Sequence, residues 1–165
     1  MHIFLDLEDT VIAPVLNGWS NAELINFPKI KFMLEELNPT YHLQEVSIFS
    51  FAIHNDYELS HFNTFVAPAL RKELGITAFS RIPTVDGAIR TACARSMRLH
   101  SERIDFSDLV DFWGKGRAFQ DYIRYNYDRP NCVPQTFVLI DDAVQNETLI
   151  LPNKNKVRTI RISND

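Results

Sequence analysis

Asp6-Leu7-Glu8-Asp9-Thr10 follows directly on the short apolar run His2-Ile3-Phe4-Leu5, and a second run, Phe137-Val138-Leu139-Ile140, ends on Asp141-Asp142. Carboxylates gathered at the exits of two buried strands supply the hard oxygen ligands that Mg²⁺ takes, one or two of them usually carboxylates. An aspartate at a strand end, a second acid two residues on and then a threonine suit phosphoryl transfer. The first carboxylate can attack phosphorus and form an aspartyl-phosphate. The second can protonate the leaving oxygen and later activate water. A metal held between the first acid and the distant pair neutralises phosphate charge, and a lysine completes the clamp.

Such chemistry requires elements that bring residues 6 and 141 together. His2 to Leu5 and Phe137 to Ile140 read as buried strands, with Val46-Ser47-Ile48-Phe49-Ser50-Phe51 as another. After a loop with Pro14, Asn17 and Gly18, Ser20 or Asn21 can cap a helix through about Leu37, unless Pro28 marks a later start. Leu59, Phe62, Phe65, Val66, Leu70 and Leu74 have helical spacing, with Pro68 as a kink and Gly75 as a stop. Residues 76–85 suggest a short strand or an irregular crossing. Asp86 predicts a helix through about Leu99, Ser107 a short one towards Trp113, and residues 117–127 a further helix. Thr148 to Leu151 and Val157 to Ile162 can extend the sheet edge. Strands alternating with helices predict an α/β, Rossmann-like doubly wound parallel sheet with helices on both faces. Ligands of such sheets bind beyond the carboxyl ends of the strands, where strand order reverses.

The bulk composition agrees with one globular domain over residues 1–165. Apolar residues make up 45% and charged residues 23%, close to globular averages, which excludes disordered and fibrous classes. The net charge of −4 gives no general attraction to nucleic acid. Cys93 and Cys132 lack metal-ligand spacing and read as reduced thiols of a cytoplasmic protein. No stretch reaches the length of a membrane span.

In order and spacing these motifs resemble those of the haloacid dehalogenase-like (HAD) superfamily of phosphohydrolases, across residues 4 to 146. The first family motif, an apolar strand followed by Asp-x-Asp-x-Thr, is matched by Phe4 to Thr10 except at Glu8. Ser50 after Ile48-Phe49 matches the second. Lys115 in Trp113-Gly114-Lys115-Gly116-Arg117 matches the third, with Arg117 as a substitute, and Ile140-Asp141-Asp142 the fourth. Asn146 stands at a position often polar in the family. The resemblance implies that Asp6 is the nucleophile and a metal ligand. It places Glu8 at the acid/base position, with its backbone carbonyl offered to Mg²⁺. It also implies phosphate binding by Thr10, Ser50 and Lys115, with Thr10 steadying the loop after the nucleophile, and metal binding completed by Asp141 and Asp142.

Glu8 departs from the family pattern by one methylene, which displaces its carboxylate by roughly 1 Å, a misplacement that can cost on the order of 10²-fold in rate. The resemblance thus carries a Mg²⁺-dependent phosphatase and, as its alternative, a binding or regulatory module that keeps the fold and metal but is catalytically weakened. Residues 11–46 and the segment between Ser50 and Lys115 leave no room for a large cap. The resemblance then implies an open site and a phosphorylated substrate, either a nucleotide or a nucleic-acid end. Arg90, Arg95, Arg98, Arg103 and His100 read as a solvated helical face, as do Lys154, Lys156, Arg158 and Arg161. His54 and His61 read as structural or surface residues, Trp113 as core, and Asp105 to Asp108 as a helix cap.

Overall fold

The computed structural model describes residues 1–16 and 18–163; Asn17, expected in the loop after the first strand, lies outside them. In chain order the main elements are β1 (His2–Leu5), α1 (Lys29–Leu37), β2 (Glu45–Ile48), α2 (Asp56–His61), α3 (Ala67–Leu74), α4 (Arg90–Ser96), α5 (Phe106–Asp108), α6 (Gly114–Tyr127), β3 (Thr136–Asp141), β4 (Glu147–Ile150) and β5 (Lys156–Arg161). The strands form one five-stranded sheet in the order β2-β1-β3-β5-β4. The first four are parallel and β4 is an antiparallel edge. This is an α/β architecture of the Rossmann-like class.

Alternation along the strands divides the core in two. Ile3, Leu5, Val46, Ile48, Val138 and Ile140 share one cluster with Ile30 and Leu34 of α1 and with Ala67, Leu70 and Leu74 of α3. Phe4, Phe137, Leu139 and Val157 share the other with Ala92 and Cys93 of α4 and with Ala118, Phe119, Tyr122 and Ile123 of α6. Because successive strand side chains point to opposite faces, helices cover both faces of the sheet. The nearly unbroken apolar runs of β1 and β3 follow from that two-sided burial.

Several boundaries differ from the sequence reading. The helix expected from residue 20 begins only at Lys29, directly after Pro28, because proline, which has no N–H to donate, is accommodated at the first turn of a helix and not inside it. The residues before it take another path: Ile25 N donates to Val11 O and Ala13 N to Glu23 O, both at 2.9 Å, so a short antiparallel pairing lies beside the loop after β1. The helical spacing of residues 56–74 is real but interrupted by a wide turn at Phe62–Val66, with Pro68 in the first turn of α3. Gly75 ends α3 at φ 71°, a left-handed conformation favoured by glycine. Residues 76–85 form no strand, yet Ser80 N donates to Val46 O and Ile48 N to Arg81 O, which satisfies the outer edge of β2. The helix expected to be capped by Asp86 is instead capped at Thr84 and passes through a distorted turn at Gly87.

Candidate metal and phosphate site

β1 has β2 on one side and β3 on the other, so strand order reverses between β1 and β3. Leu5 is in register with Ile140, and Asp6 N donates to Ile140 O at 3.0 Å. That register, more than either motif alone, places Asp6 beside Asp141. Asp6, Asp141 and Asp142 have carboxylate oxygens within 4.8 Å of one another. Asp6 and Asp141 are almost wholly buried, 1% and 0% exposed.

The loop after β1 is wound tightly enough to return Thr10 to Asp6. Leu7 O accepts from the backbone N–H groups of Thr10, Val11 and Ile12, and Asp9 turns the chain at φ 64°. Aspartate tolerates that left-handed conformation better than most residues. Thr10 Oγ1 lies 3.1 Å from Asp6 Oδ2, and accepts from Asp142 N at 3.1 Å. One hydroxyl thus joins the two strand ends. Asp141 Oδ1 accepts from Ala143 N at 2.7 Å, which fixes the second carboxylate.

Lys115 arrives from the opposite element. It lies in the first turn of α6, three and four residues before Ala118 and Phe119, which face the sheet. Residues at that spacing share a helix face, and helical side chains lean towards the N-terminus. The ammonium therefore reaches past the helix start to the strand ends. Gly114, at φ 70°, lets the chain turn from the wide turn at Leu109–Trp113 into α6. Lys115 Nζ is 2.8 Å from Asp6 Oδ1 and 3.1 Å from Asp141 Oδ2. Arg117, the alternative cation, is instead stacked 5.1 Å from the centre of Phe112 and 5.6 Å from that of Trp113.

Burial pushes the Asp6 carboxyl up to about 7; Lys115 opposes this and the neighbouring Asp141 adds to it. Asp141 is raised as well, chiefly by burial. Burial alone would lower Lys115, but Asp6 and Asp141 together hold it up at about 12, charged at any physiological pH. Asp6 holds its proton more tightly in the folded chain than at its ordinary value of 3.8. Its contribution to stability is therefore complete below about pH 4 and is lost as the pH rises through about 7. In the metal-free protein, thermal denaturation is expected to show a falling Tm over that interval. A flat or rising Tm in chelator would contradict the buried, mutually repelling pair.

The donor set suits a hard dication. Three carboxylates and one ammonium leave two formal negative charges in a buried site. Asp141 Oδ2 is fully buried and, although the ammonium is close, receives no well-aligned hydrogen bond. All three carboxylates offer oxygen, the donor type a hard dication takes.

Glu8 and Ser50 lie in the same cleft with Asp6 and Lys115, but differently placed. Glu8 stands apart from the carboxylate cluster, its Oε2 accepting from Val15 N at 2.8 Å. Ser50, 2% exposed, accepts from Ala52 N at 3.1 Å through Oγ, which leaves its proton free to donate. In sequence His54 reads as structural or surface and Phe106 as part of a helix cap, and Glu58 carries no signal. The structure puts all three on the cleft, with Phe51. His54 and Glu58 follow the end of β2, whereas Phe106 opens α5 far along the chain, so no spacing links them. No helix among the described residues is long and apolar enough to cross a membrane. Compared with protein-family models, with curated proteins and with solved structures, the chain gives no match.

Proposed function

We propose that the protein is a Mg²⁺-dependent phosphomonoester hydrolase of HAD-like arrangement, working through an aspartyl-phosphate at Asp6. The observation that carries this reading is the convergence of Asp6, Asp141, Asp142 and Lys115 at the point where strand order reverses. Bound Mg²⁺ would be held by Asp6, Asp141 and Asp142, and would supply positive charge for the phosphate and favour the ionised form of Asp6.

The remaining roles fall to the chain itself. Thr10 orients the Asp6 carboxylate and ties it to the Asp142 backbone. An Asp6 oxygen attacks phosphorus as the bond to the leaving oxygen breaks, and the leaving oxygen takes a proton from the neighbouring acid. Water then gives a proton to that acid, now a base, and attacks phosphorus; the phosphorus–Asp6 bond breaks and the carboxylate is restored. Lys115 and the Ser50 hydroxyl present positive charge and a donor to the phosphate oxygens. Glu8 is the acid available on this loop, and it serves only after releasing Val15 N.

The test is Mg²⁺-dependent hydrolysis of a generic aryl phosphate, abolished by chelator and restored by Mg²⁺. A panel of phosphomonoesters left unhydrolysed at every metal concentration would refute the enzyme. The tether of Glu8 to Val15 N also supports a second reading, a site that binds phosphate and metal with weakened turnover. Glu8→Asp separates the two. In the enzyme built around the longer acid, kcat is expected to fall on the order of 10²-fold; a gain of that size assigns the weakened module.

A further inference from the structure

The cleft that holds Asp6, Ser50 and Lys115 continues into a wall that phosphate chemistry does not need. Phe51, Ala52, His54, Glu58 and Phe106 line it, and the whole encloses about 290 Å³. Three rings lead away from the ammonium. Lys115 Nζ lies 5.5 Å from the centre of Phe51, Phe51 lies 6.0 Å from Phe106, and Phe106 lies 4.4 Å from His54. Phe106 is held in place although it is 38% exposed. It is the first residue of α5, directly after Asp105, whose carboxylate accepts from Asp108 N while Asp108 returns a bond to Asp105 N. A capping box of this kind fixes the entry of the chain into a helix, and the Phe106 ring packs edge-on against Phe51 and His54.

Glu58 makes the wall chemically specific. Its carboxylate is half-buried, and no cation or donor meets it among the described residues. A carboxylate in a phosphate-binding cleft repels further negative charge and is satisfied by a ligand that brings N–H donors. Phe106, exposed on the cleft beside the half-buried Phe51 and His54, offers a ring on which a flat ring can stack. A planar ring with N–H donors, joined to a single phosphate, meets these conditions together. At about 290 Å³ the cleft lies just under the usual range of ligand pockets, room for one small molecule. A chain of phosphates would bring repeated charge against both Glu58 and Glu8.

We propose that Phe51, His54, Glu58 and Phe106 form a base-binding subsite, and that the substrate is a nucleoside monophosphate and not a nucleic-acid end. This rests on the phosphohydrolase reading for its chemistry, though not for its binding. The experiment compares kcat/KM for nucleoside monophosphates, ribose 5-phosphate and a 3′-phosphorylated oligonucleotide, in wild type, Phe106→Ala, Phe106→Tyr and Glu58→Gln. Nucleoside monophosphates are expected to be preferred over ribose 5-phosphate by roughly 10- to 100-fold, the scale of one stacked base. Phe106→Ala is expected to bring that ratio close to one, and Phe106→Tyr, which keeps the ring, to retain it. Glu58→Gln is expected to lower the ratio for bases with ring N–H donors.

Equal use of ribose 5-phosphate in wild type, a ratio unmoved by Phe106→Ala, or preference for the oligonucleotide overturns the subsite while leaving the hydrolase standing. If no phosphomonoester is hydrolysed, calorimetric titration of the Mg²⁺-loaded protein with a nucleoside monophosphate decides it separately. Binding that is lost in Phe106→Ala and kept in Phe106→Tyr supports the subsite in a non-catalytic protein; no binding to wild type overturns it.

Discussion

Asp6→Asn is expected to remove Mg²⁺-dependent phosphate hydrolysis by roughly 10⁴-fold or more, the scale on which loss of a covalent nucleophile acts, while the protein stays folded. Asparagine has the shape of aspartate: its one oxygen can still accept from Lys115 Nζ, while its NH2 can donate to Thr10 Oγ1, reversing that bond. What disappears is the charge, and with it the proposed nucleophile and one proposed metal ligand. The same loss relieves the folded chain. Asp6 is a buried carboxylate pressed against Asp141, so above about pH 7 and in chelator the variant is expected to melt at or above the wild-type temperature. The two readouts move in opposite directions, which separates a chemical role from a structural one. Activity within tenfold of wild type would exclude Asp6 as nucleophile. A large fall in Tm would mean that the aspartate serves the fold.

Lys115→Met should produce the opposite stability effect. The lysine side chain is only 15% exposed and stands between two carboxylates that are 1% and 0% exposed. Removing one partner of a buried ion pair leaves uncompensated charge and typically costs about 3–5 kcal/mol. For a domain of this size that corresponds to a fall in Tm on the order of 10 °C at pH 8 in chelator. Methionine fills a similar space, so lost packing accounts for little of it. Two conditions should restore stability. At pH 5 the Asp6 carboxyl, raised to about 7, is largely protonated, which removes its repulsion with Asp141. At pH 8, Mg²⁺ supplies the missing positive charge and stabilises the folded state that binds it. Calorimetric melts at both pH values, with and without Mg²⁺, check all three outcomes. A Tm equal to wild type at pH 8 in chelator would show that the ammonium does not neutralise the pair.

The two variants probe a site whose components are unequally visible in the chain. β1 and β3 are legible because burial on both faces demands nearly continuous apolar residues, and both runs end abruptly on aspartates. Lys115 is legible through its place just after Gly114 and one turn before Ala118 and Phe119. The fold class follows from the alternation of such runs with helical spacing. The boundaries around residues 20–28 and 84–90 are not legible in the same way. There proline and a distorted turn move the helix starts, and the backbone bonds that compensate come from segments distant in sequence.

The cleft wall is least legible of all. Phe51, His54, Glu58 and Phe106 belong to the loop after β2, to α2 and to α5, and no spacing connects them. A phenylalanine reads as core in sequence; whether it packs inside or faces a ligand depends on how much neighbouring surface covers it. Glu8 illustrates the same limit within a motif. Its carboxylate is placed two residues after Asp6 by the sequence, but Val15 N, brought near by the folded loop, determines which way it points.

The amino-acid sequence by itself determined the acids, the lysine and the strands that carry them, because local burial and chain direction follow from residue type and period. Only the tertiary structure decided that Asp6 and Asp141 are neighbours across one strand register, that Lys115 and not Arg117 stands between them, and that an aromatic wall adjoins that cluster. Those are distances between segments up to 135 residues apart, from Asp6 to Asp141, and hydrophobic closure of the sheet by helices on both faces is the physical reason they become contacts.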